Sequence, residues 1–109
     1  MKTKNAVLAR AQQGDVVMVK VSKMPSGAKV TARGRCVLAE GEHTGHAHIV
    51  EDDEAELIMA GERMLLRLGK EATVTHQEHN PITLSPGIWD IGRVREYDYF
   101  SKMVRRVAD

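Results

Sequence analysis

A chain of 109 residues, 42% hydrophobic and 28% charged, has the makings of one globular domain and too little length for two. With 16 basic against 15 acidic residues the net charge is +1, which excludes a global electrostatic pull toward nucleic acid or anionic membrane. No apolar run approaches the ~18 residues that cross a bilayer, and Ala6-Val7-Leu8-Ala9 is too short for a secretory leader, so a cytoplasmic protein without a membrane partner is expected.

Residues 1–14 read as an N-terminal arm or short helix, stopped by Gly14. Asp15 to Val21 is rich in β-branched residues and predicts a strand, followed by the turn Met24-Pro25-Ser26-Gly27. Lys29 to Arg33 and Cys36 to Ala39 read as one bent or bulged strand interrupted at Gly34. Cys36 has no disulfide partner and is expected as a small buried apolar residue. The acidic run Glu51-Asp52-Asp53-Glu54 reads as a solvated turn. Ala55 to Met59 and Met64 to Leu68 predict a hairpin turning at Gly61. Ala72 to His76, then Ile82 to Leu84, predict two short strands parted by Asn80-Pro81. After Ser85-Pro86-Gly87, a last strand is expected over 88–97, and 101–109 reads as a C-terminal tail or short helix. Many short strands with Gly/Pro turns predict a mainly β fold: an antiparallel β-barrel or jelly-roll over 15–100, with short terminal helices at most.

All five histidines fall in two segments, Gly41 to Glu51 and His76-Gln77-Glu78-His79. His46 and His48 are two apart, so on a strand they share a face, and a third ligand must come from elsewhere. The expected metal ligands are His46, His48 and His76, with Glu78 or His79 as the fourth group. Imidazole and carboxylate suit a borderline divalent ion such as zinc, iron, manganese or nickel. The competing structural reading is that these histidines hydrogen-bond across strands. Glu78 beside His46 or His76 could serve as general acid and base, but no nucleophile or cofactor motif accompanies them, so catalysis is left open. A second functional reading is a homo-oligomeric assembly module pairing through strand edges, with structural histidines. A third is single-stranded nucleic-acid binding through Arg93 and Arg95, which share a strand face with Trp89 and Tyr97; only 4% of residues are aromatic, which ranks it last.

Two resemblances follow from these motifs. Gly41, His46-Ala47-His48 and a later acidic residue, then Leu84-Ser85-Pro86-Gly87, resemble in outline the two motifs of the cupin superfamily. That resemblance implies a small β-barrel holding a metal by three histidines and a glutamate. The Gly41 to His46 spacing is one short and Asp90 stands where the second motif would have histidine, which turns the implied site toward His76 or His79. Over most of the chain, Thr44-Gly45-His46-Ala47-His48, His76-Gln77-Glu78-His79-Asn80-Pro81, Leu84-Ser85-Pro86-Gly87 and Arg95-Glu96-Tyr97 resemble a family of small uncharacterised bacterial and phage-borne proteins. It brings no established activity, and implies a site of His46, His48, His76, Glu78 and His79. The resulting expectation is a small metal- or ligand-binding barrel, phage-associated, with a divalent metal or small molecule as its ligand.

Overall fold

The computed structural model describes residues 9–41 and 45–94. Eight strands form one antiparallel sheet that curls into a nearly closed barrel: β1 (Ala9–Gln13), β2 (Val16–Val21), β3 (Lys29–Glu40), β4 (Ala47–Ala60), β5 (Arg63–Leu68), β6 (Ala72–Thr75), β7 (Ile82–Leu84) and β8 (Gly87–Arg93). The expected antiparallel β-barrel class is therefore the observed one. The strands run in the order β1-β2-β8-β5-β4-β6-β7, with β3 laid along β4.

The hub is β4, because its two halves have different neighbours. In its C-terminal half Ile58 pairs with Val30 of β3 and Leu65 of β5; in its N-terminal half Ile49 pairs with Val37 of β3 and Thr75 of β6. One strand thus carries the sheet from the β5-β8-β2-β1 limb to the β6-β7 limb. β1 and β7, the ends of the path, approach each other without a shared ladder.

Apolar residues at consecutive positions in β2 explain how the curl is filled. Val16 and Met18 join Cys36, Leu38, Val50, Leu66, Val74, Leu84 and Trp89 in the main core. The alternate positions Val17, Val19 and Val21 pack with Ile58, Ala60 and Leu65 in a second cluster on the other face. A strand buried on both faces needs such an unbroken apolar run, since its period-2 alternation has no wet side. Cys36 is wholly buried in the main core, as expected, and burial is the main cause pushing its thiol pKa up.

Two expectations are corrected. Residues 9–13 are strand β1, because their ladder to β2 (Ala9↔Lys20 to Gln13↔Val16) outweighs a weak local helical preference. The acidic run 51–54 does not reverse the chain but continues β4; the ladder jumps from Arg33↔Glu56 to Gly34↔Asp52, leaving 53–55 without a β3 partner. This bulge gives the acidic residues the solvated bend that the composition called for, inside a continuous strand. The last strand is described over Gly87–Arg93, and the remainder of its expected span from 95 to 97 lies outside the described residues. His43, Arg95, Tyr97 and the terminal segment 101–109 lie outside the described residues.

Candidate functional site

Four histidines meet at one end of the barrel. His46 directly precedes β4 and His48 is its second residue, while His76, Glu78 and His79 occupy the turn after β6. The Ile49↔Thr75 pairing sets these two segments side by side. One further bond fastens them, Ala47 N–H donating to the Gln77 side-chain oxygen at 2.9 Å, while Gly41 N–H donates to His46 O at 2.8 Å within the first segment. The ring centroids lie 4.3 Å apart for His48 and His76, 4.7 Å for His76 and His79, 5.5 Å for His46 and His76, and 6.1 Å for His48 and His79. These rings line an open cleft of about 230 Å³ together with Glu78, Asp15, Glu40 and Arg93.

The floor of the site is a buried polar pair. Gln13, 2% exposed at the end of β1, donates from Nε2 to Val74 O at 3.0 Å and to Asn80 O at 2.9 Å. Both amide protons being used, Gln13 Oε1 can only accept, and its partner at 2.7 Å is Nδ1 of His48, itself 6% exposed. His48 therefore carries its proton on Nδ1 and keeps a lone pair on Nε2. Burial, then the neighbouring His76, pushes the His48 pKa down to about 4, so the ring is neutral at physiological pH.

His76 has the opposite arrangement. Its Nδ1 accepts backbone N–H groups of its own turn, from Glu78 at 3.0 Å and from His79 at 3.3 Å. Desolvation, followed by His79 and His46, lowers its pKa. His46 Nδ1 lies 3.7 Å from Glu78 Oε2. The ring of His79 rests on Gly14, whose φ is +59°; a Cβ there would stand 2.6 Å from His79 Nε2. Arg93 pairs with Asp15 at 3.1 Å across the rim.

All five residues expected to bind metal thus line one cleft. Among the described residues, no group of three or more His, Cys, Asp and Glu side chains is placed so that it could hold a metal ion. Trp89, expected on a nucleic-acid face, is 3% exposed, with its Nε1–H donated to Ser85 O at 2.9 Å. A ring so placed has no free face for a base, so the stacking platform is corrected to a core residue, and Arg93 belongs to the histidine cleft. Gln13, Gly14, Asp15 and Glu40 were not anticipated; Gln13 bonds residues 35 to 67 positions away, which no local pattern announces.

Searches of the curated proteins and of the solved structures found no match. A family model described as Domain of unknown function (DUF8820) matches residues 12–94, a span running from just before Gln13 to just past Arg93 and so taking in the whole cleft. The chain belongs to the DUF8820 family.

Proposed function

We propose that this domain is a small binding protein whose histidine cleft takes a borderline divalent cation, with zinc, iron, manganese and nickel as candidates. The observation that carries the reading is the Gln13–His48 pair. A buried carboxamide oxygen holding an imidazole Nδ1–H is the outer-shell support that metal-ligating histidines ordinarily have, and it leaves the Nε2 lone pair in a neutral ring.

Spacing and charge agree with it. Imidazoles bound tetrahedrally through nitrogens ~2.0–2.1 Å from an ion put their centroids about 5 Å apart, and the rings of His48 and His79, at 6.1 Å, lie close to that value. Asp15, Glu40 and Glu78 against Arg93 leave the lining net negative, a field that favours a cation. His46, His79 and Glu78 are the groups to complete the set around His48, by rotation of their side chains. The ion would supply Lewis acidity and a fixed positive charge.

Elemental analysis of tag-free protein tests this. About one equivalent of metal per chain is expected in the parent and none in His48→Ala. Metal-free parent protein that also takes up none of the four ions on dialysis would remove the reading.

A further inference from the structure

The four histidines are not equivalent, and their hydrogen bonds assign different chemistry to two of them. A neutral imidazole has one N–H and one lone pair, and a ligating ring must spend the lone pair on the ion. At His48 the lone pair is on Nε2, because Gln13 can only accept from Nδ1–H. At His76 the lone pair is on Nδ1, where it receives the N–H groups of Glu78 and His79, so the proton resides on Nε2. For His76 to ligate through Nε2 it would have to become an imidazolate, or else flip and leave two N–H groups of its own turn without their acceptor.

We infer that His76 is the hydrogen-bond donor of the cleft and not a ligand of the cation, and that it receives a carboxylate oxygen of a small ligand. This rests on the cation reading above. The two rings lie 4.3 Å apart, centre to centre, and present unlike groups: a lone pair at His48 and an N–H at His76. Beside an ion held at His48, such a donor finds an oxygen acceptor that the ion also attracts. A divalent cation would offset the excess of Asp15, Glu40 and Glu78 over Arg93, so a bound ion makes the cleft receptive to an anion it would otherwise repel. Arg93, on the same lining, offers a second donor of the kind that recognises carboxylates.

The test combines imidazole NMR with zinc titration. Long-range ¹H–¹⁵N spectra of the metal-free protein at pH 8, above the ordinary imidazole pKa of about 6.5, should show His48 protonated on Nδ1 and His76 on Nε2. A His76 proton on Nδ1 overturns the assignment. Zinc binding by calorimetry should be unchanged in His76→Asn, whose side-chain oxygen still accepts the Glu78 and His79 N–H groups, and weakened by about 100-fold or more in His48→Ala; equal losses in both variants overturn it. Acetate added to the zinc-loaded parent should shift the His76 Nε2 resonance, and no shift at saturating acetate overturns the carboxylate assignment. A parent protein that binds no zinc refutes the ligation half together with the cation reading, while the metal-free spectra still decide where the His76 proton lies.

Discussion

Gln13 is a residue on which both stability and chemistry turn. Its side chain gives two hydrogen bonds to carbonyls and takes one from His48, the bonds to Val74 and from His48 buried and the one to Asn80 part-buried. Truncation leaves two buried polar groups without a partner, and unmet buried groups are costlier than the bonds themselves. Gln13→Ala should lose about 2 kcal/mol by urea denaturation, and weaken metal binding by roughly 10–100-fold. A variant as stable as the parent would show that water replaces the amide. His48 supplies a second prediction, this one in pH. Its folded pKa is about 4 against 6.5 for the free side chain, so below 6.5 the unfolded chain takes up a proton that the folded chain refuses. The stability tied to neutral His48 is complete above about pH 6.5 and is lost as pH falls from there to about 4, by at most about 3 kcal/mol. The lowered His76 pKa acts in the same sense. Denaturation midpoints of the parent should fall across that window more steeply than those of His48→Gln; parallel curves would refute the contribution.

At the scale of elements, strand identity was legible and strand continuity was not. The alternation in Lys29 to Ala39, the run in Val16 to Val21 and the glycine at 61 are local signals, and β3, β2 and the β4–β5 hairpin follow them. The histidine cleft was legible in the same way, since two clusters on adjacent strands needed only a β-fold to meet. What was hidden depended on pairing: β1 is a strand because β2 folds back on it, and 53–55 bulge because the β3 ladder skips them. The β3 partner of Asp52 is Gly34, far outside any local window, whereas β2 follows β1 directly and there the alanines and glutamines of 9–13 give no strand signal of their own. Strand β3 adds a consequence. Among the described residues its only ladder is to β4, leaving twelve residues along one edge. Three register shifts, Gly34 at φ +88° and the exposed basic residues Lys29, Arg33 and Arg35 blunt that edge against unwanted pairing. Arg33 and Arg35 are held by Glu56 and Glu51; the Arg35 pair is exposed and of little value to stability, and Glu56, half-buried, keeps Arg67 when Arg33 is removed. Arg33→Val with Arg35→Val, beside the already exposed Val30, should therefore leave the melting temperature near the parent's and yet produce concentration-dependent oligomers by light scattering. Monomers at every concentration would mean that the bulges alone protect the edge.

Among the described residues the ends of the strand path, β1 and β7, meet at a seam without a ladder, and the cleft lies beside it. There the Gln13 side chain, reaching from β1 to Val74 of β6 and to Asn80 before β7, does what main-chain bonds do elsewhere. The proposed ion would add a second fastening at the same place, because His48 belongs to β4, His79 to the β6–β7 turn, and His79 rests on Gly14 after β1. Binding only the folded chain at 100 times its dissociation constant contributes about 2.7 kcal/mol, and for a domain of this size that raises the melting temperature by roughly 10 °C. Gly14→Ala probes the seam independently. Its φ of +59° disfavours a Cβ, and the added methyl would meet His79 Nε2 at 2.6 Å, so the ring must leave its place. The variant should be less stable than the parent by about 1–2 kcal/mol without metal, and should show a smaller zinc-induced rise in melting temperature. If the rise were undiminished although the variant is destabilised, His79 would contribute to packing at the seam and not to holding the ion.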